Sequence, residues 1–180
     1  MSDSTPNPRR FPNPAPQPSG VIGDGPFGRE LQLTRRFRTP IDDVWAAMTE
    51  SDRLERWIGR WEGDPSTGRV DFFMTAEGQG EDVPAEEYRI SECSPPRRFA
   101  GETSVGEERW LLRFELTEAD GTTTLVFAQA LGTDDLGSVG PGWEYYLDRL
   151  AAVLEGADAA GVQWDAYFPA MRDHYSSLAR

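Results

Sequence analysis

Residues 142–156 read GWEYYLDRLAAVLEG, and this stretch decides the architecture. Trp143, Leu147, Leu150 and Leu154 recur at helical spacing and lay one apolar stripe along a helix. Glu144, Asp148, Arg149 and Glu155 take the other side, and Gly156 is a reasonable stop. Such a stripe has to be buried against another layer.

The residues upstream supply that layer. Arg109 to Thr117 alternates, with Trp110, Leu112, Phe114 and Leu116 on one face. Asp120-Gly121 is a hairpin turn signal, after which Thr122 to Leu131 returns with Leu125, Phe127 and Leu131 inward. Earlier strands are read at Arg29–Arg38, Arg69–Thr75, Glu86–Cys93 and, after the break at Pro95-Pro96, Arg97–Glu102. Glu77 to Asp82 reads as a polar hairpin loop, and Gly132 to Pro141 as a glycine-rich loop before the long helix. Thr39-Pro40-Ile41-Asp42 reads as a helix start, with Thr39 as cap and Ile41, Val44, Trp45 and Met48 on one face. A second start at Ser51 leads into a short helix ending near Trp57. The order is strand, two short helices, the rest of a six-strand antiparallel meander and a long helix. That predicts an α+β chain in which a curved sheet grips its C-terminal helix.

These segments resemble a known family. Arg36-Phe37-Arg38-Thr39-Pro40-Ile41-Asp42-Asp43-Val44-Trp45 is similar to the opening of START-like (SRPBCC) domains, and Leu54-Glu55-Arg56-Trp57 to its continuation. The diproline at Pro95-Pro96 and the Gly142-Trp143 and Leu147-Asp148-Arg149-Leu150 pattern match two further motifs, in the right order. The match runs over about residues 29–156 and points to the branch similar to the heat-shock protein 90 ATPase activator homologues (AHSA-like). The resemblance implies a helix-grip fold with an apolar cavity between sheet and long helix. It implies binding of a small hydrophobic or aromatic molecule, with a co-chaperone-like interaction module or an aromatase/cyclase-like enzyme as alternatives.

Three regions follow. Residues 1–26 carry seven prolines between Pro6 and Pro26 with few apolar side chains, and read as a flexible proline-rich tail. Residues 27–157 form the helix-grip domain. Residues 158–180, with Trp164, Tyr167, Phe168, Met171 and Tyr175, form an aromatic helical extension packed on it. A net charge of -13 argues against nucleic acid and anionic membranes as partners. A homodimer or protein partner stays open through the C-terminal aromatics. Cys93 is the single cysteine, which fits a reducing cytoplasm and rules out an internal disulfide. Arg9-Arg10-Phe11 is followed by prolines rather than an apolar run, so it is not read as an export signal.

Little in the chain signals catalysis. His174 has no ligand partners at metal-binding spacing, so neither a metal nor a cofactor is expected. Gly132, Gly137, Gly140 and Gly142 fit no phosphate-binding loop and read as a lip at the cavity entrance. The acids Glu81, Asp82, Glu86, Glu87, Glu107, Glu108, Asp134 and Asp135 read as solvated. The informative set is aromatic: Trp45, Trp57, Phe72, Tyr88, Phe99, Trp110, Phe114, Phe127 and Trp143 fill a core or wall a pocket, and Leu147 adds to that wall. Tyr88, Arg113 and Gln129 are the candidate polar groups. Gln129, in phase with Leu125 and Phe127, should point inward and need a hydrogen-bond partner or a ligand.

Overall fold

In the computed structural model, the described residues are 15–76, 83–106, 108–133 and 135–179. Among them eight strands form one antiparallel sheet: β1 Val21–Gly25, β2 Gly28–Phe37, β3 Arg60–Glu62, β4 Arg69–Phe73, β5 Glu86–Ser94, β6 Arg98–Val105, β7 Glu108–Ala119 and β8 Thr122–Ala130. Their order is β1-β2-β8-β7-β6-β5-β4-β3, a meander closed by β2 pairing with β8. Helices α1 (Ile41–Thr49) and α2 (Ser51–Leu54) connect β2 to β3. The long α3 (Leu136–Leu154) follows β8, and α4 (Arg172–Leu178) closes the described chain. This is the helix-grip α+β arrangement, a curved sheet around a long C-terminal helix.

Period-two patterning carries through to register. Leu33, Phe127, Phe114, Phe99 and Cys93 are successive cross-strand partners from β2 to β5, so they form one row on the inner face. The β7–β8 hairpin turns at Asp120 (φ 52°) and Gly121 (φ 70°), the positive dihedrals a two-residue loop of this type requires. α3 covers the β2–β8 half of the sheet. Leu31, Leu33, Leu125, Leu147 and Leu150 are at most 1% exposed there. α1 packs against α3 and β7, and α2 against β3, over the other half.

Several local expectations change. The proline-rich tail was expected through residue 26, but Val21–Gly25 is an edge strand pairing Val21 with Gln32 through Gly25 with Gly28. Pairing there needs only backbone groups, which composition does not register. The strand Arg60–Glu62 is also new to the sequence reading, being too short to show a period. Thr39 does not cap α1: Pro40 occupies the cap position, and the Thr39 carbonyl accepts the Thr123 hydroxyl at 2.7 Å. The expected loop at residues 77–82 lies outside the described residues, as do Glu107 and Asp134.

The glycine-rich lip is not a loop either, because α3 begins at Leu136 and includes Gly137, Gly140, Pro141 and Gly142. The Asp135 carboxylate caps it, accepting the Gly137 N–H at 3.0 Å. The glycines are there for close approach. A Cβ on Gly140 would stand 2.2 Å from the Tyr175 ring, and one on Gly137 2.4 Å from Ser176 Oγ. The first turns of α3 are thus the seat of α4, which explains how a poor helix-forming sequence is held helical.

Glu144, expected on the solvated side of α3, is 1% exposed. Its carboxylate accepts from Ser19 N at 2.5 Å, Gly20 N at 3.2 Å, Arg35 Nη2 at 2.5 Å and the Tyr175 hydroxyl. Arg35 Nε also donates to Asp148 at 3.0 Å, and the Tyr167 hydroxyl donates to Asp148 at 2.7 Å. Burial works against the Glu144 charge, but the hydrogen bonds from Tyr175, Ser19 and Arg35 and the Arg35 charge more than offset it, holding the carboxyl below its usual range. One carboxylate therefore ties both ends of the described chain to α3 and β2. None of the helices formed by the described residues is long and apolar enough to cross a membrane.

Candidate functional site

Where the sheet parts from α3 it encloses a cavity of about 280 Å³. Its floor is the inner face of β3 to β8, and its roof is α1, α2 and the turn after them, through Trp45, Met48, Leu54, Trp57 and Ile58. α3 contributes Trp143 alone. The resemblance placed the cavity between sheet and long helix; the structure moves it under the short helices. The reason is that Leu147 and Leu150 sit directly on the β2–β8 half and leave no space there.

One wall is a ladder of near-parallel rings on neighbouring strands. Tyr88 stacks on Phe99 at 6.0 Å and 22°, and Phe99 on Phe114 at 5.5 Å and 19°. Trp45 stands across them, edge-on to Phe99 at 6.5 Å. At the far end Phe127 and Trp110 flank Trp143, at 4.4 and 6.0 Å. Gly101 lets the Tyr88 ring lie flat on β6, since a Cβ there would be 2.4 Å from Cε1 of that ring.

Three of the lining tryptophans spend their N–H groups on protein acceptors. Trp57 Nε1 donates to the Ala47 carbonyl and Trp61 Nε1 to the Thr49 carbonyl, both at 2.9 Å. Trp143 Nε1 donates to Gln129 Oε1 at 2.5 Å. The N–H groups of these three are therefore engaged by the protein and not offered to the cavity. Thr103 likewise spends its hydroxyl on the Glu87 carbonyl at 3.1 Å. Tyr88 differs: its hydroxyl makes no hydrogen bond among the described residues, and burial alone pushes its pKa up. No side chain of the described residues leaves a fully enclosed polar atom unpartnered, so this hydroxyl borders open space. Tyr88 is part of the cavity lining, which identifies that space.

Nine residues singled out from the sequence meet in this cavity: Trp45, Trp57, Phe72, Tyr88, Phe99, Trp110, Phe114, Phe127 and Trp143. Two do not. Leu147 is packed at 1% exposure in the core, and Gln129 points inward but is engaged by Trp143 and borders a different hollow, of about 340 Å³, with Leu31, Leu136 and Val139. Arg113 touches the cavity, but its guanidinium does not serve it. Nε and Nη2 bond to the fully buried Glu30 at 3.0 and 2.7 Å, and Nη1 to Glu115 at 2.8 Å. That pairing follows from strand alternation, which sends Arg113 to the face opposite Phe114. Glu86, expected to be solvated, also lines the cavity, as the inward partner of Phe72 in the β4–β5 register. Sequence reasoning missed Trp61, which faces Phe72 from β3. Its signal was a three-residue strand, too short to read by alternation. Cys93 is exposed and borders the cavity, and His174 packs edge-on to Tyr175 at 5.2 Å. Among the described residues no group of three or more His, Cys, Asp or Glu is placed to hold a metal.

Comparison with known proteins gives a consistent picture. The family model for Activator of Hsp90 ATPase homolog 1-like protein matches residues 38–155. The crystal structure of CalU16 from Micromonospora echinospora is similar with a TM-score of 0.69 and 25% identity, covering 90% of this chain and 96% of that one. The solution structure of the protein encoded by BPP1335 from Bordetella parapertussis gives 0.61 and 23%, over 87% and 94% of the two chains. EF2215 from Enterococcus faecalis, a conserved protein of unknown function, gives 0.65 and 18%, over 89% and 90%. None of the curated proteins matches.

Proposed function

The chain belongs to the Activator of Hsp90 ATPase homolog 1-like family, within the START-like superfamily, and from that premise we propose that it binds a small apolar or aromatic molecule in the cavity beneath α1 and α2. The observation that carries this reading is the treatment of the tryptophans. Trp57, Trp61 and Trp143 direct their N–H groups to protein acceptors and line a space of about 280 Å³. A site of that size sits at the small end of ligand pockets, which run to roughly 300–1,000 Å³ and are mainly apolar. Filling it restores dispersion contacts that the lining otherwise lacks. A cytoplasmic setting belongs to the same proposal and is supported by the lone free thiol of Cys93.

A thermal-shift screen with neutral aromatic compounds tests it. Ligand at a hundredfold excess over Kd stabilises by about 2.7 kcal/mol, which is roughly 5–11 °C for a chain of this size. Val70→Phe fills the cavity beside Tyr88 and should abolish the shift while the protein stays folded. No shift with any compound in the wild-type chain would overturn the reading. A protein partner or second copy is the other reading, favoured by Trp164, which is 41% exposed and stacked on Phe168 at 5.6 Å. Concentration-dependent sedimentation abolished by Trp164→Ser would put it ahead.

A further inference from the structure

The cavity contains a direction as well as a volume. The rings of Tyr88, Phe99 and Phe114 stack one on the next, at 6.0 and 5.5 Å, and border the cavity as a continuous aromatic surface. Tyr88 ends that stack, and its hydroxyl borders the cavity without a partner among the described residues. A donor facing an otherwise apolar space gains from a ligand that brings a matching acceptor. Burial disfavours the phenolate, so the group stays a phenol and offers a proton. No guanidinium competes for the acceptor, since that of Arg113 is spent on Glu30 and Glu115. The wall also includes the acidic residue Glu86 on a chain of net charge -13, which disfavours an anionic ligand.

Building on the binding reading above, we propose that the ligand is a neutral aromatic carbonyl compound, held beside the stacked Tyr88, Phe99 and Phe114 rings with its carbonyl oxygen accepting from the Tyr88 hydroxyl. Tyr88 is then the residue that selects and orients the ligand, and the other rings supply most of the affinity without discriminating. Tyr88→Phe keeps the ring on Phe99 and over Gly101 and removes only the donor.

The test uses two probes with one skeleton, acenaphthene and 1-acenaphthenone, which differ by a carbonyl. Binding of each to the wild-type chain and to Tyr88→Phe is followed by tryptophan fluorescence. Near-ultraviolet circular dichroism checks that the variant keeps its packing. The expected result is roughly three- to tenfold weaker binding of the ketone to the variant, with acenaphthene unchanged. The carbonyl stretch of bound acenaphthenone should lie at lower frequency in the wild-type complex than in the variant. If both probes bind and Tyr88→Phe weakens them equally, or neither, the inference falls and the cavity reading stands. If neither probe binds the wild-type chain, both fall.

Discussion

Replacing Glu144 by Gln should be the most destabilising isosteric change on α3, and its pH signature should identify the cause. The carboxylate is 1% exposed and accepts from Ser19 N, Gly20 N, Arg35 Nη2 and the Tyr175 hydroxyl. Gln keeps one acceptor oxygen, turns the other position into a donor facing donors, and removes the charge opposite Arg35. Breaking a buried ion pair from one side costs about 3–5 kcal/mol. Asp148 still pairs with Arg35 at 2.9 Å, so the lower end applies, about 3 kcal/mol. That corresponds to roughly 6–12 °C in Tm, a large share of a domain stability of about 5–15 kcal/mol. The Glu144 carboxyl titrates below its ordinary value of 4.5 in the folded chain. Its contribution is therefore fully present above the unfolded value and is lost as pH falls through the folded one. Calorimetric unfolding of both chains should show a constant gap from about pH 7 to 5 and a narrowing gap below 4.5. A gap under about 1 kcal/mol, or one that persists unchanged into acid, would refute the assignment of Glu144 as the charged tie.

Other outcomes follow from the same geometry. Gly140→Ala improves helix propensity by about 1 kcal/mol, yet its methyl would meet the Tyr175 ring at 2.2 Å. Net destabilisation of roughly 1–2 kcal/mol is expected by chemical denaturation. Leu147→Ala should cost about 2–5 kcal/mol by the same measurement and leave aromatic ligand affinity unchanged, because Leu147 is core and not cavity wall. Tyr88→Phe should leave the ligand-free Tm about equal, since it deletes a hydroxyl that makes no hydrogen bond among the described residues.

The sequence was most legible where local pattern and tertiary contact agree. β7 and β8 carry strict alternation and an Asp-Gly turn, so their inner face could be named residue by residue, and Trp110, Phe114 and Phe127 of the cavity wall came with it. It was least legible where a contact overrides the pattern. Gly137, Gly140 and Pro141 argue locally against a helix, and what holds them helical, Tyr175 and its neighbours on α4, comes far later in the chain. Glu144 falls on the polar side of α3 by periodicity, and its partners come from residues 19–35 and from α4. Arg113 was a candidate polar group for the cavity, but its acceptor, Glu30, lies on the opposite face. The Tyr88 ring could be placed inward by phase; that its hydroxyl finds no partner is a property of the three-dimensional packing alone.

The tryptophans offer the most direct test of the cavity as a ligand site. Five of the six, Trp45, Trp57, Trp61, Trp110 and Trp143, line it, and Trp164 stands outside at 41% exposure as an internal control. Indole N–H resonances should be followed by two-dimensional nuclear magnetic resonance during titration with acenaphthene. The cavity account predicts shifts in the resonances of the lining tryptophans while that of Trp164 stays in place. Movement of Trp164 alone, or of none of the six, would contradict it.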